Sequence, residues 1–509
     1  MSNKRRLQRQ KERDIKLFED IVSGRARLAC SIEKPKKRAL PNKISSEGTE
    51  EQQQMLGQLA RVYRCIFSGL IWKLGEVKDP RSPRNQSHSL LVLLLHAILM
   101  FAFHVESRRT ANDVLAGMGA IGILQAVFPE MKTMPHADTV ANMLEDIHAE
   151  EIQDAYIKMF REHINSPGFR DKYADGPLLV AVDGSQSFVR DYRWDKQALC
   201  RHVGEQKKEQ FYTSYLEAVL VLKNGAILPV YTEVIENDGE IDGDKKQDCE
   251  TKAFYRMAEK LHSIFGRGGL TLVADGLYAS GPIVSICNKY HWGYMLSLKD
   301  GDMSSVWEDA EGLMKAEPSN LVDLQWGERV QSIRWANGVE YTYGKNHTRL
   351  QLNLVVCHEM WVEPYKRSKK ETKRMFTRYA WLSSERITSQ NAFHLCTEVA
   401  RRRWMIESSF NTEKNGGYSF EHCFSYNWNA MKAYHYLMKF ARFFNTLVAY
   451  SGLIADYTRK KGFRGLVRSF KTALCNGKID GAQIRAMAEK KTTRWKMVTE
   501  NIFLVAATP

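Results

Sequence analysis

The chain has 509 residues and a formal net charge of +15, with 74 Lys and Arg residues against 59 Asp and Glu residues. This length predicts three or four domains with ample hydrophobic core. The first residues are charged rather than apolar, which argues against secretion. Nine cysteines without a C-x-x-C pair argue against a disulfide framework, so we expect reduced thiols in a cytoplasm.

The excess positive charge lies at the two ends of the chain. Residues 1–43 carry 14 basic and 5 acidic side chains, and residues 458–509 carry 12 and 3, so each end has a net charge of +9. The remainder carries −3. Basic regions of this size predict a polyanionic partner, because phosphate neutralisation supplies most non-specific DNA affinity. The alternative is a pair of solvated basic tails.

One long apolar run, Leu90 to Val105, stands out near the start of the chain. It contains two histidines and is shorter than the roughly 20 residues of a membrane span, so we predict a buried helix and no membrane partner. Residues 79–172 around it predict a helical domain. Residues 34–53 read as a polar, poorly ordered connector.

Two further apolar runs each end in an Asp-Gly pair. Residues 178–182 precede Asp183, and residues 270–274 precede Asp275. Such runs are typical of central strands covered on both faces. A strand-end aspartate would lie at the rim of the sheet, where ligands bind in open α/β folds.

The segments around these aspartates predict an ordered series of strands and helices. Asn224-Gly225 between two β-rich runs is a strong hairpin signal. The expected elements are strands Tyr215 to Leu222 and Ala226 to Ile235, a helix from Lys246 to Phe265, a helix near Pro282 to Tyr290, and a strand from Tyr294 to Ser297. Between Lys299 and Tyr379, alternating stretches predict antiparallel strands.

The most informative segment runs from Glu398 to Lys414. Arg403, Glu407 and Lys414 are spaced so that they share one side of a helix, which we expect to start near Thr388 and to end at Gly416-Gly417. A carboxylate flanked by two cations on one helix face can hold a metal beside a bound phosphate.

Together, Asp183, Asp275 and Glu407 suit phosphoryl transfer. Two Mg²⁺ ions about 4 Å apart activate the attacking oxygen and stabilise the leaving oxygen, and magnesium prefers hard oxygen ligands. The competing interpretation makes each aspartate a helix N-cap and Glu407 an ordinary i,i+4 partner of Arg403. A zinc site from Cys200, His202, His422 and Cys423 is disfavoured, because neither pair has a standard ligand spacing.

The spacing R-(3)-E-(6)-K, carried by Arg403, Glu407 and Lys414, resembles the Y-(2)-R-(3)-E-(6)-K signature of DDE transposases from bacterial insertion sequences, in the insertion-sequence-four-like branch. The signature's tyrosine position falls on Ala400, which departs from the pattern. Other similar segments extend over most of the chain: Asp79-Pro-Arg81, Pro135-His-Ala-Asp138, Lys246-Gln-Asp-Cys-Glu250, Leu277-Tyr278 and Gly417-Tyr418.

The resemblance implies an α/β fold: a ribonuclease H-like catalytic core with a β-rich insertion, flanked by helical N- and C-terminal regions. The expected divisions are 1–78 (basic and partly disordered), 79–172 (helical, DNA-binding or accessory), 173–298 (first part of the core), 299–385 (insertion), 386–450 (last part of the core, with Glu407) and 451–509 (basic and helical). In this family an insertion can place an aromatic residue near the DNA end. Trp326, Trp335 and Trp361 are the candidates, although a core role for all three is the better interpretation.

The resemblance also implies Mg-dependent cleavage of double-stranded DNA at the ends of a mobile element and transfer of the 3′-hydroxyl ends into target DNA. Asp183, Asp275 and Glu407 would bind two Mg²⁺ ions, for which Mn²⁺ can substitute, and Arg403 and Lys414 would bind DNA phosphates. A homodimer on DNA, in a prokaryotic cytoplasm at the nucleoid, is expected. Two alternatives stay open: a transposase-derived regulator that only binds DNA, and a metal-dependent nuclease that cuts without joining.

Overall fold

The structure is a computed structural model of the whole chain. It describes residues 12–13, 15–21, 28–37, 49–68, 71–115, 118–173, 176–238, 246–365, 368–476, 482, 485–486 and 496–505. Most of the basic segment 1–43 and much of 458–509 therefore lie outside the described residues. The protein is of the mixed α/β class, with one large mixed sheet and many helices.

Helices dominate the chain before the sheet. Their bounds are α1 Thr49–Ser68, α2 Ile71–Leu74, α3 Leu90–Ala102, α4 Arg108–Leu115, α5 Met118–Val127, α6 Ala137–Asp146, α7 Ala149–Asn165 and α8 Pro167–Tyr173. Ser89 begins α3 by accepting a hydrogen bond from the backbone N–H of Val92. All but one of the α3 side chains are buried, which confirms the predicted buried helix. No helix among the described residues is both long enough and apolar enough to cross a membrane.

Later helices alternate with strands or follow them. They are α9 Glu250–Phe265, α10 Gly281–Tyr290, α11 Ser304–Ala316, α12 Trp404–Asn415, α13 Trp428–Ala449, α14 Ala455–Lys461 and α15 Phe463–Asn476. Helix α9 begins at Glu250 rather than at Lys246, because Cys249 has extended backbone angles and its carbonyl accepts the first helical bond, from Ala253.

The described strands form one eleven-stranded sheet and one small pair. Strands of the large sheet are β1 Ser31–Ile32, β3 Leu178–Arg190, β4 Leu199–Val203, β5 Lys208–Val221, β6 Ile227–Ile235, β7 Leu270–Ala274, β8 Gly293–Ser297, β9 Leu321–Trp326, β10 Arg329–Tyr343, β11 Thr348–Tyr365 and β12 Ser368–Ser383. The small pair is β2 Lys36–Lys37 with β13 Leu504–Val505. The order in the large sheet is β1-β9-β10-β11-β12-β8-β7-β3-β5-β4, and β6 also pairs with β5.

The centre of the sheet is parallel and its flanks are antiparallel, except for the parallel edge pair β1–β9. Strands β3, β7 and β8 run parallel, and β5 and β6 form the predicted hairpin around Asn224-Gly225. The predicted strands of the 299–385 region are also present. They continue the central sheet through the antiparallel pair β12–β8, and α11 precedes them, which the alternating pattern did not indicate.

Two large hydrophobic cores lie against the sheet, and a small third cluster contains Phe18, Val330 and Met360. Side chains of β3 alternate between them: Val180 and Val182 enter the larger core with the N-terminal helices and α13, and Ala181 enters the second core. Ile406 and Phe410 of α12 belong to the second core. This packing fixes α12 beside the strands that carry the two aspartates.

Candidate active site

Asp183 and Asp275 lie side by side at one end of the parallel strands. The β3–β7 register pairs Val182 with Ala274, so the next residue of each strand is an aspartate. Asp183 does not end its strand, contrary to the prediction. Because antiparallel pairing with β5 continues to Arg190, Asp183 lies within β3, at the point where the parallel pairing stops.

Backbone amides orient both aspartates. Asp183 Oδ1 accepts a hydrogen bond of 2.9 Å from the N–H of Gly184. Asp275 caps a short 3₁₀ turn, Gly276–Tyr278, by accepting a bond of 2.9 Å from the N–H of Leu277. Asp275 is therefore an N-cap as well as a site residue, and the two roles are compatible because the cap uses a single oxygen.

Glu250, the first residue of α9, adds a third carboxylate that the sequence pattern did not place in the site. A Cβ atom at Gly184 would lie 2.3 Å from Glu250 Oε1, so a larger residue there would require the Glu250 carboxylate to shift. The hydroxyl of Tyr278 donates to Glu250 Oε2 at 3.3 Å. The segment ending at Glu250 is one of those that resemble the family, but its spacing carried no signal of proximity to Asp183.

The helical segment that carries Arg403, Glu407 and Lys414 is irregular before Glu407. After Ala392, whose N–H bonds to the carbonyl of Thr388, the chain forms a π segment at His394–Val399 and a 3₁₀ segment at Ala400–Arg403 before α12. The predicted helix is therefore present in outline, but it is regular only from Trp404 to Asn415.

Arg403 connects the helix to the first aspartate. Its Nη2 lies 2.6 Å from Glu407 Oε1, and its Nη1 lies 3.5 Å from Asp183 Oδ2. The Arg403 side chain is 12% exposed, whereas that of Glu407 is 55% exposed. A nearly buried guanidinium thus lies between two carboxylates, and Glu407 meets Asp183 only through it.

Lys414 contacts the same strand further along. Its Nζ donates to the backbone carbonyl of Gln186 at 3.2 Å and forms an ion pair of 3.0 Å with Glu421. Arg403 and Lys414 therefore face β3 at positions three residues apart. This confirms that the two cations share one side of the helix.

Ala400 is buried in the second core, beside a cavity of about 420 Å³. Arg403, Trp404 and Tyr379 also line this cavity. The small side chain at the signature's tyrosine position thus borders open space next to Arg403.

The three tryptophans of the 299–385 region divide into two kinds. Trp335 is 3% exposed and belongs to the second core, which agrees with the core interpretation. Trp326 and Trp361 are only partly buried. Lys34 Nζ lies 4.5 Å from the Trp326 ring centroid, and the Arg329 guanidinium lies 4.0 Å from that of Trp361, so both rings lie under cations.

Burial, with smaller contributions from neighbouring carboxylates, raises the pKa of two acidic side chains of the site. Burial, and to a smaller extent the charges of Asp275 and Glu250, raise the pKa of Asp183 to about 6, although Arg403 opposes this change. Burial, with a contribution from Asp275, also raises the pKa of Glu250. The single guanidinium, that of Arg403, therefore does not neutralise all the carboxylates of the site. The five residues Asp183, Glu250, Asp275, Arg403 and Glu407 are called the site cluster below.

A second set of charges lies directly behind the site and is fully buried. Lys439 Nζ lies 3.0 Å from Glu217 Oε1 and 2.8 Å from Glu413 Oε2, and His435 Nε2 lies 2.8 Å from Glu217 Oε1. Glu217 is paired with Asp183 across β3 and β5. Glu217, Glu413, His435 and Lys439, called the buried network below, link β5, α12 and α13.

The donor chemistry of the site suits a divalent cation, but its arrangement is incomplete. Carboxylate oxygens are the ligands that Mg²⁺ prefers, and one or two carboxylates with phosphates and water suffice. Asp183 and Asp275 fit that description. Glu407 is held by Arg403, and within the described ranges no three His, Cys, Asp or Glu side chains converge closely enough to hold a metal ion.

Two of the four residues weighed as zinc ligands have other contacts nearby. Cys423 Sγ donates to the carbonyl of Ser425 at 3.2 Å, and His202 Nδ1 lies 3.2 Å from the carbonyl of Lys207. A hydrogen-bonded histidine and buried cysteines are the alternative to a zinc site; the His202 contact agrees with it, whereas Cys200 and Cys423 are only partly buried.

Comparison with known proteins relates one part of the chain to transposases. No curated protein matches the chain. Residues 71–159, less than a fifth of the chain and most of the helical region before the sheet, match a family model described as DDE_Tnp_1-associated. This domain indicates a relation to DDE-type transposases.

Proposed function

We propose that the chain is a DDE transposase that binds the ends of its mobile element, cleaves the DNA and joins the freed 3′-hydroxyl to target DNA. The observation that carries this proposal is the placement of Asp183 and Asp275 on adjacent parallel strands, with Arg403 connecting Asp183 to Glu407. The strand order β8-β7-β3-β5-β6 and the helix α12 beside it support a ribonuclease H-like core. The match of residues 71–159 supports the transposase assignment independently of these residues.

Asp183, Asp275 and Glu407 are the proposed ligands. Two bound Mg²⁺ ions, or Mn²⁺ in their place, would supply activation of the attacking oxygen and stabilisation of the leaving oxygen. Burial, which outweighs the opposing charge of Arg403, raises the pKa of Asp183, and a carboxylate that is costly to ionise in this way supports a role as a cation ligand. For Glu407 to join the two aspartates, its carboxylate has to leave Arg403.

Arg403 and Lys414 are the proposed phosphate-binding residues. When a phosphate enters, the Arg403 guanidinium can exchange its carboxylate partners for phosphate oxygens, which releases Glu407. Charge-assisted hydrogen bonds of this kind contribute about 1.5–3 kcal/mol each. The planar fork of arginine is required for two parallel bonds, so Arg403→Lys should restore only part of the loss caused by Arg403→Ala.

The test uses a plasmid that carries the coding sequence with its native flanking DNA. Wild-type protein should cut it with Mg²⁺ and join the product ends to a second plasmid. Asp183→Asn, Asp275→Asn and Glu407→Gln should each abolish cutting while DNA binding persists. Glu398→Gln is the matched control, since Glu398 also forms an exposed i,i+4 pair, with Arg402 at 3.1 Å.

Each alternative has a distinct outcome in that experiment. Cutting without joining identifies a nuclease. DNA binding without cutting in either Mg²⁺ or Mn²⁺ identifies a regulator. Near wild-type cutting by any of the three variants removes that residue from the proposed ligand set.

The terminal regions are proposed to bind DNA as well, probed by removing the basic segment 1–43. Its deletion should weaken binding and reduce the slope of log K against log salt by about 0.9 for each DNA phosphate that the segment neutralises. Unchanged affinity with an unchanged slope would identify a solvated tail. A homodimer on the DNA is part of the proposal, and sedimentation of the protein with and without a DNA end tests it.

A further inference from the structure

The second half of β3 begins at the site, and its edge opposite β5 leads away from the site. Parallel pairing with β7 ends at Val182, whereas antiparallel pairing with β5 continues to Arg190. Residues 183–190 therefore have a partner strand on one side only. The chain segment after α12 lies along the other side, where Ser187 donates a hydrogen bond of 2.7 Å to the carbonyl of Phe420.

Cationic side chains follow this edge at intervals. Arg403 reaches Asp183 and Lys414 reaches the carbonyl of Gln186, whereas Arg201, which lies on β4 beyond β5, donates to Gln186 Oε1 at 2.7 Å from the other side. Arg190 ends the strand. Acidic side chains are present too: Glu421 pairs with Lys414, and Asp191 is exposed.

An exposed cluster of arginine and tyrosine closes the far end. Arg190 Nε donates to the Tyr426 hydroxyl at 3.0 Å, and the ring centroids of Tyr192 and Tyr426 are 6.4 Å apart. Tyr192 is 50% exposed and Tyr426 is 47% exposed, so two large rings stay in solvent although they contact each other. Exposed aromatic and arginine side chains that cluster in this way are enriched where proteins bind partners.

Large exposed side chains also lie at the end of this edge that is nearest to the site. Leu277, two residues after Asp275, is 48% exposed, and Trp404, next to Arg403, is 38% exposed. Large exposed apolar side chains thus flank the site at one end, and the tyrosine pair lies at the other end of the strand.

We propose that Arg190, Tyr192 and Tyr426 form a second contact for the backbone of duplex DNA whose cleaved phosphate lies at Asp183; this inference rests on the proposed function. Arg and Tyr side chains that bind phosphate oxygens fix the position of a duplex without reading its sequence. Seven residues of strand from Asp183 to Arg190 span about 23 Å. A DNA strand advances about 3.4 Å per phosphate along the helix axis, so for a duplex whose axis runs along β3 the cluster lies about six or seven base pairs from the cleaved phosphate.

The test measures binding to a fluorescent 40-base-pair duplex of mixed sequence. The triple variant Arg190→Gln, Tyr192→Ala and Tyr426→Ala should bind at least about tenfold more weakly, since one charge-assisted contact alone is of that order. The salt slope should fall by about 0.9 for the phosphate bound by Arg190, and Arg190→Lys should retain that slope. The matched control Arg161→Gln with Tyr255→Ala changes exposed residues on α7 and α9 and should bind as the wild type does.

A photocrosslinking amino acid at position 426 identifies the partner directly. An adduct with the duplex is expected, and the same group at Tyr255 should give none. An adduct with a second copy of the chain, or no adduct, overturns the inference, as does a triple variant whose melting temperature and DNA affinity both equal those of the wild type.

The proposed function is measured in parallel by plasmid cutting. If the wild type cuts and the triple variant keeps its affinity, only the inference fails. If the wild type binds through this cluster without cutting, only the proposed function fails. A wild-type protein that does not bind the duplex contradicts both.

Discussion

The site cluster and the buried network lie one strand apart but are electrostatically opposite. In the buried network, burial would raise the pKa of Glu217, but Lys439 and His435 lower it below its ordinary value. In the site cluster, burial and neighbouring carboxylates raise the pKa of Asp183 and of Glu250. Asp183 and Glu217 are paired across the same two strands. The two carboxylates differ in how much positive charge lies beside them.

The comparison distinguishes a structural cluster from a functional one. The buried network has its own cation between two glutamates and is closed to solvent. The site cluster has more carboxylates than its single guanidinium compensates, and it is partly open. Surplus negative charge held in place by β3, β7 and α9 is what a site for a divalent cation requires.

The largest expected effect is in the buried network. Lys439→Met leaves Glu217 and Glu413 buried without their shared cation. Breaking a buried pair in this way costs about 3–5 kcal/mol of unfolding free energy, which denaturant titration measures. Lys414→Met, which removes a partly exposed cation from a surface pair, is the control and should cost less than about 1 kcal/mol.

A second variant sharpens that result. Adding Glu413→Gln to Lys439→Met removes one of the two abandoned charges, so the double variant should be more stable than Lys439→Met alone. If Lys439→Met costs no more than Lys414→Met, the buried network does not hold α12 in place.

The next largest expected effect is an increase in the free energy of unfolding, caused by a substitution in the site cluster. The folded-state pKa of Asp183, about 6, lies above its ordinary 3.8, so the ionised carboxylate destabilises the fold. That cost is absent below about pH 4, grows between pH 4 and pH 6 and is complete above. Asp183→Asn should therefore stabilise the metal-free protein at pH 8 by about 1–2 kcal/mol, with screening of a partly exposed group taken into account.

Thermal melts with a chelator, at pH 8 and at pH 4, check this sign. The gain should vanish at pH 4. A variant that is less stable than the wild type at pH 8 would show that Arg403 compensates Asp183 fully.

The smallest effect on stability is expected at Glu407. It is 55% exposed and pairs with Arg403 in an i,i+4 arrangement, so Glu407→Gln should cost only about 0.3–0.5 kcal/mol in denaturant titration. Glu398→Gln should lower the free energy of unfolding by a similar amount. A loss above about 2 kcal/mol at Glu407 would assign it a structural role.

Local patterns in the sequence predicted the parts of the site that depend on local structure. The apolar runs before Asp183 and Asp275 predicted central strands, and the spacing of Arg403 and Lys414 predicted a shared helix side. The hairpin at Asn224-Gly225 follows from turn chemistry alone. These features depend on residues within a few positions of one another.

The features of the site that the sequence did not predict depend on pairing between strands that are far apart in the chain. The β3–β5 pairing places Asp183 inside a strand, and a bare glycine at position 184 admits Glu250 from a helix 66 residues later. The β12–β8 pairing joins the 299–385 strands to the central sheet. The sequence does not distinguish the π segment before Arg403 from a regular α-helix, because its residues follow helical spacing in both cases.

The central claim is that Asp183, Asp275 and Glu407 bind divalent cations, and titration of the full-length protein with Mn²⁺, followed by electron paramagnetic resonance at pH 8, tests it most directly. The wild type should bind two ions in the presence of a DNA end, and binding should weaken as pH falls through about 6 and Asp183 becomes protonated. Asp183→Asn and Asp275→Asn should lose this binding, whereas Glu398→Gln should keep it. Equal Mn²⁺ binding by the wild type and both aspartate variants would contradict the account.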